Sequence, residues 1–217
     1  MKEHTAEQIR NIALVGHSGS GKTSLAEAFL FAAKATNRLG KVEDGTTASD
    51  YTEEEIRRTF SISAALLQCE YKNQKFNFLD LPGFADFAGE VVSCLRVVEA
   101  ALLVLDGVAG PEAGSEIAFE RAENYKLPLG MVINKMDKEN ADFGRSLSAA
   151  QTLFSERLLP VQLPIGEAAM FKGFVDLVRM KAFEYKDDGS LADTAIPADL
   201  QAECEEARGK LIEAAAE

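Results

Sequence analysis

With 217 residues, 47% hydrophobic and 27% charged, the chain can bury a sizeable core, which excludes wholesale disorder and suits one domain, or one plus part of another. A net charge of −12 excludes a broad nucleic-acid surface, which needs basic residues to displace counterions, though not a small RNA-facing patch. Three scattered cysteines (Cys69, Cys94, Cys204), two histidines and no apolar signal or membrane-length run predict a soluble, cytoplasmic protein with reduced thiols, without disulfide framework, zinc site or membrane anchor.

Residues 11–15 read as a short apolar strand that runs into a glycine-rich turn. From Lys22 the apolar positions Leu25, Phe29 and Ala32/Ala33 recur at helical steps. Residues 38–58 are polar and acidic and predict a long loop, a feature that in compact domains is usually functional or mobile. Residues 61–71 and 75–79 read as two strands joined by a turn at Lys72, Asn73 and Gln74. Helices are expected at 86–99, 111–125 and 142–154, with strands at 100–106, 129–133 and 160–163. This alternation predicts an α/β fold: a mostly parallel sheet with helices on both faces and one antiparallel edge strand.

After Pro164 the rhythm changes. Short strands are expected within 174–185, a turn at 187–189 and a long helix over 197–217. Leu200, Cys204, Ala207, Leu211 and Ala215 form one stripe on that helix, which needs an apolar cover. From 176 to 217 there are eleven Asp/Glu against five Lys/Arg; such a run suits a basic protein partner or a solvated helix face.

Three motifs sit at three predicted strand tips. Gly16, His17, Ser18, Gly19, Ser20, Gly21, Lys22 and Thr23, followed by Ser24, fit GxxxxGK[ST]. The glycines let successive N–H groups form a nest for phosphates, which the N-terminus of the following helix reinforces. Lys22 would reach the β- and γ-phosphates, and the Thr23 hydroxyl would ligate Mg²⁺. Asp80, Leu81, Pro82 and Gly83 form DxxG, with a carboxylate for Mg²⁺ and a backbone N–H for a γ-phosphate. Asn134, Lys135, Met136 and Asp137 form NKxD. The Asp137 carboxylate can accept from guanine N1–H and N2–H₂, a pair that adenine lacks, so the expected nucleotide is GTP/GDP, and an ATPase is disfavoured.

The chain from Asn11 onward resembles the G domain of elongation factor G and the ribosome-dependent translational GTPases. The resemblance makes 1–164 a P-loop G domain, with switch I about 38–62 and switch II about 80–95, and makes 165–217 the start of an α+β insert subdomain. Ser61-Ile62-Ser63 stands where the family has Thr-Ile-Thr, which implies Ser61 as a Mg²⁺ ligand of switch I. Residues 80–87, DLPGFADF, are similar to the family's DTPGHVDF, so Phe84 replaces the water-orienting histidine. A phenyl ring cannot hydrogen-bond water. The catalytic expectation therefore rests on Lys22 and Gly83, with Phe84 as a gate or an apolar plug, and intrinsic hydrolysis is expected to be slow. Gly19 likewise replaces a family aspartate.

The family's fifth motif, a Ser-Ala turn after the insert, is expected to be absent, since Ser63-Ala64 comes too early and Ser148-Ala149 falls in a predicted helix. The chain therefore reads as a fragment. The resemblance implies the ribosome as partner of the full-length protein, and a ribosomal stalk protein as partner of the insert. An alternative reading is a nucleotide-dependent binding module of an elongation-factor-G-like paralogue that hardly hydrolyses GTP.

Overall fold

The computed structural model describes residues 3–186 and 190–216, so the turn expected at 187–189 lies outside the described residues. Packing divides the chain into two units, Met1–Asp106 with Pro111–Asn134, and Gly107–Gly110 with Lys135–Glu217.

The first unit is built on a five-stranded sheet of β1 (Ile9–Val15), β2 (Ala65–Tyr71), β3 (Gln74–Asp80), β4 (Ala100–Asp106) and β5 (Leu129–Asn134), in the order β2-β3-β1-β4-β5. β1 pairs in parallel with β3 and β4, and β4 with β5. β2 is the expected antiparallel edge. Lys72 and Asn73, both at positive φ (48° and 62°), close the β2–β3 hairpin with the twist such a turn favours. Central parallel strands lie between helices, so their residues are apolar without alternation: Ala13, Leu14, Val15, Leu103, Val104 and Leu105 are all buried.

The helices of this unit are α1 (Lys22–Ala32), α2 (Glu53–Arg58), α3 (Ala88–Leu95) and α4 (Ala113–Asn124). α1 covers one face, where Ala26 and Leu30 pack with Leu14, Leu67, Cys69 and Phe78. Phe29 stacks on Phe78 at 4.8 Å between ring centroids. The buried face of α1 is thus centred on Ala26 and Leu30 and not on the predicted Leu25, which is only half-buried. α3 packs on β1 and α4 on β4, burying Val91, Leu95, Ala118 and Ala122.

Two sequence expectations need correction here. The strand predicted from residue 61 begins at Ala65. The N–H groups of Ile62 and Ser63 are taken by the Glu55 carboxylate, and that of Ala64 by Glu90, so none of them is left for a ladder. The long loop at 38–58 contains α2, started by a capping box in which Thr52 and Glu55 bond each other's backbone N–H. The Thr-x-x-Glu spacing that marks this helix start is present in the sequence.

The second unit contains α5 (Phe143–Leu153), an antiparallel sheet β6 (Gln162–Ile165), β7 (Gly173–Asp176), β8 (Lys181–Tyr185) and β9 (Leu191–Thr194), and α6 (Gln201–Ala216). The strand expected at 160–163 as a sixth member of the first sheet is β6 of this second sheet instead. Its Leu163 and Ile165 belong to a core with Val175, Leu177, Ala182 and Cys204. That core covers the predicted stripe at Leu200, Cys204, Ala207 and Leu211, while Ala215 is exposed. Among the described residues, no helix is long and apolar enough to cross a membrane.

Candidate functional site

β1 ends at Val15 and α1 starts at Lys22, so the six residues between them must turn sharply at the carboxyl end of the sheet's central strand. Gly21, the N-cap of α1, lies in the left-handed region at φ 96°, and a Cβ there would run into the Asn134 amide. Asn134 Nδ2 in turn donates to the Ser20 carbonyl at 3.0 Å. Asn134 therefore braces the P-loop.

Lys22 is 6% exposed, and its ammonium donates to the carbonyls of Gly16 (3.1 Å) and His17 (2.8 Å). Burial lowers its pKa to about 8, against the pull of Asp80 and Asp50, which raise it. The lysine is thus held across the loop as a desolvated cation, a strong partner for a phosphate oxygen. His17 turns its ring toward α4: Nδ1 accepts from the Gly114 N–H at 3.2 Å, and Nε2 lies 3.5 Å from Glu112. Ser18 offers its N–H beside Gly83. Gly19 faces open space, Ser20 is buried and Ser24 is exposed.

Gly83 closes on this loop. A Cβ on it would lie 2.5 Å from the Ser18 nitrogen and 2.6 Å from Lys22 Nζ, so only glycine brings the DxxG backbone so near the phosphate nest. Buried Pro82 precedes it.

The Thr23 hydroxyl, 8% exposed, donates to Asp80 Oδ2 at 2.7 Å and lies 3.3 Å from the Ser61 hydroxyl. Residues distant in sequence thus meet at one point: 23 on α1, 61 after α2 and 80 at the tip of β3. Asp80 is fully buried, and its Oδ1 receives no hydrogen bond; the Ser49 hydroxyl faces it without closing one. Asp50, also buried, has neither oxygen in a well-formed bond, though Ser61 lies beside it. Burial of an unsatisfied carboxylate is costly. Two hydroxyls and an unsatisfied carboxylate oxygen form the hard-oxygen set that suits Mg²⁺, which keeps several waters and needs few protein ligands. The residues fit the metal.

Burial also raises Asp80 to about 6; the Thr23 hydrogen bond, Lys22 and Ser49 act against that rise, and Asp50 adds to it. The folded pKa lies above the ordinary value of 3.8, so this group's contribution to stability is full below about pH 3.8 and is lost as pH rises through about 6. Asp80→Asn removes that penalty, of order 1–3 kcal/mol, while keeping an acceptor for Thr23. The ligand-free variant is expected to melt roughly 2–12 °C higher at pH 7.5, with the gap closing toward pH 4. Calorimetry checks this; a lower midpoint at pH 7.5 would show that attraction to Lys22 outweighs desolvation.

Besides Asp50, two residues of the site escaped the sequence reading. Glu27 on α1, 2% exposed, accepts from the N–H groups of Gly40 (3.1 Å) and Ala48 (2.5 Å) and so fastens the loop at 40–48 to the helix. Glu55 holds the start of α2 with one carboxylate oxygen and the Ile62 and Ser63 N–H groups with the other. Only the capping box could have signalled Glu55; nothing local marks Glu27. Of the base-side motif, Asn134 ends β5 in the first unit; Lys135, at φ 60°, buried Met136 and exposed Asp137 belong to the second.

The model of the elongation factor Tu GTP binding domain matches residues 7–212. The fold is similar to the crystal structure of ttk003000868 from Thermus thermophilus, with 33% identity and a TM-score of 0.90 over 95% of the chain. The chain spans 31% of the length of that protein. A P-loop, a DxxG glycine packed on it and a hydroxyl–carboxylate cluster, on a sheet of this order, agree with that match: the chain belongs to the elongation factor Tu GTP-binding domain family, the guanine-nucleotide-binding G domains of translational GTPases.

Proposed function

We propose that the chain is the nucleotide switch of a ribosome-associated translational GTPase of the elongation factor G type, acting in the cytoplasm on GTP and GDP with Mg²⁺. The observation that carries this reading is the convergence of Lys22, Thr23, Ser61, Asp80 and Gly83 at one point. The P-loop N–H groups and Lys22 bind the β- and γ-phosphates, and the Gly83 N–H meets the γ-phosphate. Thr23 and Ser61 hold Mg²⁺ with Asp80, directly or through a water. The metal, when bound, neutralises charge on the phosphate oxygens. GTP orders 38–62 and 80–95, and hydrolysis releases them. Chemistry in such a site is mostly positioning and electrostatics, and without a side chain to orient water it is slow in the absence of the ribosome. A ribosomal stalk protein is the partner proposed for the insert.

Two substitutions test the metal and switch assignments. Thr23→Ala is expected to weaken Mg²⁺-dependent binding of GDP and GTP alike. Ser61→Ala is expected to weaken GTP selectively, because Ser61 is on the segment that closes over the γ-phosphate. Calorimetry with both nucleotides, with and without Mg²⁺, separates them; equal losses for Ser61→Ala would refute the switch assignment.

The second reading, a nucleotide-dependent binding module with little GTPase activity, is favoured by one observation: the Phe84 ring packs against Phe60 and presents no hydrogen-bonding group. Single-turnover hydrolysis with and without ribosomes decides between the two.

A further inference from the structure

We propose that Phe60, Phe84 and Phe87 form an aromatic clasp that ties the end of switch I to the start of switch II, with Phe60 as the positioning residue through which the two segments open and close together. Phe60 meets Phe84 edge-on at 4.8 Å between centroids and lies 6.5 Å from Phe87. The sequence around Phe60 delivers it there. Thr59 takes the left-handed conformation (φ 57°, ψ 35°) and turns the chain out of α2, and the Glu55 carboxylate then pins Ile62 and Ser63 at 3.0 and 3.1 Å. On the other side, Gly83 lies against the P-loop, and Phe84 is the N-cap of the short 3-10 turn Ala85–Phe87.

Each segment is thus anchored near the P-loop by its own neighbour of the clasp, Ser61 beside Thr23 and Gly83 beside Lys22. The rings join the two anchors directly. A second link, the Ala64 N–H to Glu90 at 3.0 Å, is exposed. Phe84 remains 39% exposed, so the rings are not part of the folded core. An exposed edge-on pair favours the closed arrangement by a modest factor, roughly two- to twelvefold. A link of that size can be broken in each cycle. A loss of contact at either anchor would then loosen the other. This consequence for nucleotide sensing rests on the switch reading above; the coupling itself does not.

The test is amide hydrogen exchange of the nucleotide-free chain, comparing the parent with Phe60→Leu, Phe84→Leu, the double variant and Glu90→Gln. Each single leucine variant is expected to speed exchange in both 59–64 and 84–92 by roughly two- to twelvefold. The double variant is expected to match the larger single effect, because either change already breaks the pair. Phe84→Tyr, which keeps the ring, is expected to restore the parent rates. Glu90→Gln should leave residues 84–87 near the parent rates. Loosening of only the mutated segment, or a double variant equal to the product of the singles, overturns the clasp. So does a Phe84→Tyr variant as fast as Phe84→Leu. Amides 13–15 of β1 report the fold: if a leucine variant loses protection there, the tyrosine substitutions at both positions decide, and exchange as fast as in the leucine variants overturns the clasp. GDP titration of the full-length protein runs alongside; no binding would refute the nucleotide reading and leave the coupling result standing.

Discussion

In the intact G domain, Asp137→Asn is expected to cost GDP affinity by roughly 10- to 100-fold, the worth of hydrogen bonds to a charged acceptor, and to move preference toward xanthine nucleotides. On the proposed reading, the carboxylate accepts from guanine N1–H and N2–H₂. An asparagine keeps one acceptor but turns a donor toward the second position, where xanthine carries a carbonyl. With Asp137 in place, GDP is expected to bind at least about tenfold better than ADP, because adenine leaves the carboxylate without donors. Competition calorimetry with GDP, ADP and xanthosine diphosphate checks both statements. Equal affinities of the parent for GDP and ADP would remove the base assignment.

On the proposed function, Phe84→His made in the full-length protein is expected to raise ribosome-stimulated GTP hydrolysis by roughly 10²–10⁴, the range for a side chain that orients or takes a proton in the transition state. GDP affinity is expected to stay nearly unchanged, since the proposed phosphate contacts come from the P-loop, Lys22 and the Gly83 backbone, which lie together. Imidazole is also a flat ring, so part of the edge-on contact with Phe60 survives the change. Single-turnover assays with ribosomes read the rate, and calorimetry reads the affinity. No rate gain would mean that water is oriented by another group. A large loss of GDP affinity would assign Phe84 to packing of switch II, the plug reading weighed from the sequence.

Much of the nucleotide site was legible because its information is local. The P-loop needs glycine at set steps and a lysine and threonine at the first turn of a helix, and these letters stand side by side from Gly16 to Thr23. The strands that carry DxxG and NKxD declare themselves by apolar runs, and the hairpin at Lys72–Asn73 by its turn. The parallel sheet with one antiparallel edge then follows from the alternation of strand and helix.

Tertiary structure alone decided how those pieces are held. Glu55 reaches seven and eight residues ahead to take the N–H groups that would have begun β2 at residue 61. Asn134 crosses from the end of β5 to the Ser20 carbonyl, a separation of 114 residues. Glu27 and Asp50 look like ordinary surface acids in the sequence, yet both are buried. Side-chain bonds between distant residues leave no period and no spacing rule in the chain, whereas a strand or a phosphate loop must repeat or space its residues to exist at all. These two carboxylates become recognisable only when folding removes their water, because desolvation shows that one, Glu27, has been given donors and that the other, Asp50, has oxygens without a well-formed hydrogen bond.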